Sequence, residues 1–337
     1  MQMQNKKGDT LFFKTPPSVL GYAAVGGKKE SEGPLADGFD VLNTDTTFGE
    51  KTWEQSESRM QAICAETALK KSGVTPKELD YLFAGDLENQ CTASNYTMRD
   101  LPVPFLGLYN ACATMAEGLG LAASFIAGGL AERTMALASS HFCAAERQYR
   151  FPLEYGGKRT PTSQWTATAS GGVVLGSVGG PPYVKSVTFG RVIDYGIKDI
   201  NNMGAAMAPA AAHTLLTFLK DSGRRPEDFD RIFTGDLGAV GSTLLEEICE
   251  KEGVKLTNHS DCGLLLYDRE KQQVDAGGSG VGCSASVLCS HILPQLKSGK
   301  LREVLFIATG ALMSPTTFMQ KESIPGIAHL VQLGSGK

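Results

Sequence analysis

The chain is 337 residues long, enough for about two domains or one duplicated unit with a sizeable core. Its formal charge of −4 leaves no electrostatic footprint for nucleic acid, and its 39 glycines point to tight turns and close backbone packing. The eight cysteines are scattered with no CxxC pair, so neither a zinc site nor a disulfide framework is signalled. The first residues, MQMQNKKGDTLFF, lack the apolar run of a secretory leader, and no stretch has the roughly 20 apolar residues that span a bilayer. A soluble, leaderless chain is the expectation.

In chain order, 52–71 carries Trp53, Met60, Ile63, Cys64 and Ala68 at helical spacing and stops at Gly73, which suits a left-handed cap. Thr75-Pro76-Lys77-Glu78 fits a capping box with proline at the first helical position, and it leads into an apolar strand over 81–84. Residues 134–140 form a second apolar strand, while 165–178 and 183–192 read as extended. Further on, 205–220 and 244–252 are helical patterns around a strand at 231–234, and 304–310 is another strand. Short apolar runs alternating with helices predict layered α/β units on a largely parallel buried sheet.

These elements repeat. Residues 69–87 (LKKSGVTPKELDYLFAGDL) and 219–237 (LKDSGRRPEDFDRIFTGDL) agree at ten of nineteen positions with a constant offset of 150. Downstream, Ala111-Cys112-Ala113-Thr114 faces Gly282-Cys283-Ser284-Ala285. No linker rich in proline, serine or charge separates the two halves, taken as 1–180 and 181–337, so they are expected to pack as one body.

The segment PFLGLYNACATMAEGLGLAA (104–123) puts Cys112 where a buried strand turns into an Ala/Gly-rich helix. There the positive end of the helix dipole favours thiolate. This duplicated arrangement resembles the thiolase and ketoacyl synthase superfamily, which implies a duplicated five-layered α-β-α-β-α fold with a nucleophilic cysteine heading the first half's central helix. GPLADGFD (33–40), LFAGDLENQ (82–90), SSHFCAAERQYRFPLEYGG (139–157), MGAAMAPAAAHT (203–214), TGDLGAVGS (234–242), SDCG (260–263), GGSGVGCSAS (277–286) and ATGALMSP (308–315) narrow the resemblance. They look like the stage V sporulation protein AD family. That resemblance implies binding of dipicolinic acid, pyridine-2,6-dicarboxylate, for uptake into the developing spore, beside membrane proteins of one transport system. It further implies peripheral attachment at the forespore or spore inner membrane, and the superfamily implies a homodimer.

Condensing members of the superfamily also need two His or Asn residues. The corresponding places here read Ile232 to Asp236 and Gly278 to Cys283, and neither contains His or Asn. The chemistry is therefore expected to be lost while the fold is kept. An acyltransferase using Cys112 with an unusual base, and a ligand-free scaffold, remain alternatives.

A dipicolinate site needs donors or cations for two carboxylates and apolar surface for the ring. Candidates are Cys112, Ser279 and Cys283 at the helix starts, His141 at a strand end, and Arg147, Lys158 and Arg159 in an aromatic-rich loop. That loop reads equally as solvated or dimer-facing, with Glu146 paired locally. Asp86 and Asp236 follow the duplicated strands and either cap backbone N–H groups or meet a calcium ion carried with the ligand. No resident cofactor or metal is expected. His213 and His291 lie among apolar helical residues and read as packing groups, and Gly277-Gly278-Ser279-Gly280 lacks a Walker lysine.

Overall fold

The computed structural model describes residues 4–149 and 159–336. In the first part of the chain run β1 (Gln4–Lys7), β2 (Thr10–Phe13), β3 (Ser18–Gly26), α1 (Lys28–Ser31), β4 (Val41–Leu42), α2 (Trp53–Ser72), β5 (Tyr81–Gly85) and α3 (Thr92–Arg99). Then follow β6 (Phe105–Gly107), α4 (Thr114–Ala127), β7 (Arg133–Ser140), α5 (Phe142–Tyr149), β8 (Trp165–Thr166) and β9 (Ala169–Gly176). The second part holds β10 (Tyr183–Thr188), α6 (Met203–Ser222), β11 (Arg231–Thr234), α7 (Gly238–Lys251), β12 (His259–Asp261), α8 (Cys262–Leu266) and β13 (Gly278–Ser279). It ends with α9 (Val281–Val287), α10 (Leu293–Lys297), β14 (Glu303–Ala311), α11 (Pro315–Met319) and β15 (Gly326–Gly334).

The 150-residue offset is visible in the helices. α2 and α6 occupy matching positions, each stopped by a glycine in the left-handed region, Gly73 (φ 70°) and Gly223 (φ 70°). The Thr75 capping box forms, with the Glu78 carboxylate accepting from the Thr75 N–H at 2.9 Å. The helix expected at 244–252 begins earlier, at Gly238. Its cap is Asp261, whose carboxylate accepts from Leu237 and Gly238 N–H at 2.8 and 3.0 Å, from a position too distant to signal the start locally. The extended stretch 165–178 is divided into β8 and β9, and that at 183–192 ends at Thr188.

Strand order is β3-β9-β7-β5-β6 in one array and β10-β15-β14-β11-β12 in the other, joined by a single residue pair, Tyr183 with Ser18. Each array is mixed, which corrects the expectation of a largely parallel sheet. β7-β5-β6 and β14-β11-β12 are parallel, but β9 and β15 return antiparallel beside them. The N-terminal hairpin β1-β2 crosses to the second array and pairs β2 with β10. Asp221 at the end of α6 fixes it, accepting from the Asp9 and Thr10 N–H groups and the Thr10 hydroxyl at 2.9, 3.1 and 2.9 Å.

Helix α2 packs on β3, β9 and β7, and α6 packs on β15, β14 and β10. Between the arrays, α4 touches β7 and β5 on one side and β14 and β15 on the other, with α9 beside it against β9. The result is five layers, α-β-α-β-α. Its largest apolar core runs through the central layer, with smaller cores under α2 and α6. Among the described residues no helix is long and apolar enough to cross a membrane.

The central layer sits close to the first array. A Cβ on Gly171 of β9 would lie 2.2 Å from the Ala285 carbonyl oxygen of α9, so only glycine admits this approach. Gly171→Ala is expected to lower stability by roughly 1–3 kcal/mol; an unchanged denaturant midpoint would contradict the packing.

Candidate functional site

The parallel strands of both arrays end on the same side of the molecule. Loops at these ends enclose a cavity of about 360 Å³. Cys112 lies on its wall in a single 3-10 turn, Ala111–Ala113, that precedes α4, and Ala111 there adopts φ 48°. The thiol therefore stands outside the first turn of the helix. On the second-half side, Ser279 of β13 reaches the cavity.

Directly beneath lies Asp236, fully buried after β11. Its carboxylate accepts from the Thr309 hydroxyl at 2.9 Å, the Ser279 hydroxyl at 3.1 Å, the Gly280 N–H at 3.0 Å, and the Cys112 thiol. Burial, opposed by these donors, brings Asp236 up to about 6. Burial and the adjacent Asp236 charge hold the Cys112 thiol well above its usual value. This corrects the expectation that the helix dipole would favour thiolate. The two segments expected to carry His or Asn do converge on Cys112, and they bring Asp236, Ser279 and Gly280 instead.

The remaining walls are mostly apolar. Met203 and Met207 from the start of α6 face Leu87, Ala145 and Leu312. The uncharged polar groups are the Asn89 amide and several hydroxyls: Tyr149 donates to the Leu87 carbonyl at 2.8 Å and lies 3.1 Å from the Tyr109 hydroxyl. Glu146 is the charged residue on the lining. It accepts from Thr166 at 2.9 Å and pairs with Arg159 at 2.9 Å. Arg159 is held beside the stacked rings of Phe142 and Trp165, 5.3 and 5.0 Å from their centroids.

Of the nominated residues, the structure brings Cys112, Ser279 and Asp236 together, with Arg159 one contact behind the wall. Cys283 is buried in α9 with its sulfur 3.9 Å from the Gly235 carbonyl, off the lining. His141 is buried away from the cavity, its Nε2 2.9 Å from the Thr46 carbonyl, and burial lowers its pKa. Arg147 pairs with Glu54 and lies over the Trp53 ring, outside the cavity. Lys158 lies outside the described residues. Among the described residues no cluster of His, Cys, Asp and Glu is arranged to hold a metal. Met203, Met207 and Tyr109 carry no sequence signal of a site, since two methionines four apart on an Ala-rich helix look like ordinary core.

Asp86 has a different role from its repeat partner Asp236. It accepts from Ser94 N–H and hydroxyl at 2.8 and 2.7 Å and from Glu88 N–H at 2.8 Å, as a backbone cap. Glu57 of α2 and Glu88 lie beside it, and all three carboxyls are at most 2 % exposed. Burial and the Asp86 charge raise Glu88 to about 7, and burial raises Glu57 well above its usual value.

The chain's similarities agree with this geometry. It superposes on the 3-oxoacyl-[acyl-carrier-protein] synthase III of Aquifex aeolicus VF5 with a TM-score of 0.58 at 14% identity, covering 94% of this chain and 99% of that one. On cerulenin-bound OleA of Xanthomonas campestris the TM-score is 0.61 at 13% identity, with 98% and 99% covered. At such identities these define a thiolase-like, ketoacyl-synthase-type fold. The family model for stage V sporulation protein AD matches residues 7–334, and the Bacillus subtilis (strain 168) stage V sporulation protein AD is 45% identical over 321 residues, 95% of both chains. The chain belongs to the stage V sporulation protein AD family.

Two outcomes follow. Iodoacetamide labelling of Cys112 is expected to stay slow up to pH 9 and to accelerate several-fold in Asp236→Asn, followed by peptide mass; equal rates would contradict the shared proton. Glu88, raised from 4.5 to about 7, keeps in the fold a proton that the unfolded chain releases. Its contribution is therefore present below about 4.5 and lost as pH rises to about 7. In thermal unfolding across that window, Glu88→Gln should flatten the decline, by roughly 1–3 kcal/mol.

Proposed function

We propose that this sporulation-family chain binds pyridine-2,6-dicarboxylate in the Cys112 cavity without transforming it, serving uptake of that compound beside membrane proteins of one transport system. The observation that carries the non-catalytic reading is the contact between Cys112 and Asp236. A cysteine nucleophile needs a base matched to its thiol. Asp236 is brought only to about 6, while burial and that same charge hold the facing thiol well above its usual value, so the carboxylate is a poor acceptor for the thiol proton. No histidine lines the cavity among the described residues.

The lining also favours one form of the ligand. Glu146, paired with Arg159 behind the wall, lines the cavity above the buried Asp236, and no cation lines it among the described residues. A free dianion would meet like charge there, whereas its calcium chelate is neutral and brings its own metal donors. The ring would rest on Met203, Met207 and Tyr149, with Tyr109 able to donate to a carboxylate, while Ser279 and Thr166, whose protons go to Asp236 and Glu146, present hydroxyl oxygens to the calcium.

Calorimetric titration of the full chain with dipicolinate, with and without calcium and against benzoate, tests this. Saturable heat is expected with calcium and weaker heat without it, and Met313→Trp, which narrows the cavity, should weaken binding about tenfold or more. No saturable heat in either form would overturn the proposal.

A further inference from the structure

A second crevice, of about 320 Å³, opens in the second array, lined from the opposite end of β11. Arg231 is the first residue of that strand and Asp236 lies five positions on, about 16 Å away at the rise of a strand. The crevice floor is Phe233 with Leu265 and Leu301. Its rim holds Arg231, Lys300, His291, Gln295 and Ser260.

The charges here are the reverse of those at Cys112. Both charged rim residues are cations, no carboxylate lines the crevice, and among the described residues neither Arg231 nor Lys300 forms an ion pair. A neighbouring basic groove shows the contrast: there Lys185 and Arg224 are both met by Glu303, at 3.1 and 2.9 Å. His291 packs edge-on against Phe233, with centroids 6.5 Å apart, and its backbone carbonyl accepts from the Gln295 amide at 3.1 Å. Burial and Lys300 lower the His291 pKa, so the imidazole is neutral near pH 7 and free to donate or accept. Two unpaired cations above an apolar floor are complementary to a compact molecule with two negative charges and a hydrophobic body.

We propose that this crevice is a second binding site, taking a small organic dianion with an apolar body, a dicarboxylate or a phosphate monoester. Arg231 and Lys300 hold the charges, Phe233 and Leu265 cover the body, and Ser260 and His291 complete the polar rim. The site is independent of the Cys112 cavity and of the ligand proposed there.

The test follows the His291 ring protons by NMR while isophthalate and phenyl phosphate are titrated into the full chain, with sodium chloride at matched ionic strength as control. The experiment is run in both wild type and Met313→Trp, so that failure at one site is distinguishable from failure at the other. Saturable shifts are expected with at least one probe in both backgrounds, together with a raised His291 pKa. Response to isophthalate alone identifies the source as a dicarboxylate, and to phenyl phosphate alone as a phosphate monoester. Arg231→Gln and Lys300→Gln, both at exposed positions, should each weaken binding about tenfold, whereas Arg224→Gln should leave it unchanged. Shifts matched by sodium chloride, no saturable shift with either probe, or binding undiminished in both crevice variants would overturn the proposal.

Discussion

The desolvated carboxylate of Asp236 is the point on which the site depends. Out of water it must be met by donors, and those donors come from three separate places: Cys112 ahead of α4, Ser279 and Gly280 ahead of α9, and Thr309 in β14. Satisfying this one group therefore fixes the heads of both central helices against the second array. Burial and the same contact raise the Cys112 thiol pKa. The arrangement that builds the cavity floor thus also sets the environment of the cysteine sulfur.

Duplication supplied two copies of this carboxylate, and the copies diverged in what surrounds them. Asp86 turns to Ser94 and the Glu88 N–H and sits among other buried acids. Asp236 meets a thiol and hydroxyls beneath an open space. Charge is likewise divided across the molecule: the Cys112 cavity has a paired Glu146 and no lining cation among the described residues, whereas the crevice beyond the start of β11 has two cations and no acid.

Much of this was legible in the sequence because local signals and tertiary structure coincide. The constant offset placed α2 and α6, glycine caps ended them, and the Thr75 box formed as written. Cys112 was legible as a cavity residue from its strand-to-helix setting. What failed to show were features set by distant partners. Asp261 starts α7 from beyond that helix's far end, and Glu54 draws Arg147 away from the cavity. The mixed sheet direction depends on β9 and β15 folding back, which periodicity alone does not encode. The thiol's protonation follows from burial beside a carboxylate 124 positions later in the chain, and no residue near Cys112 announces it.

The hairpin at the start of the chain carries a consequence for how the molecule is made. Beyond their hairpin partner β1, residues 10–12 pair only with 186–188, and their anchoring carboxylate is Asp221. As the chain leaves the ribosome, the hairpin can close on itself but has nothing to dock on while the first array is synthesised, and its anchor arrives only with the end of α6. The beginning of the protein is then among the last pieces to take its place, closing a loop of more than 200 residues and tying the two halves together at the end of assembly.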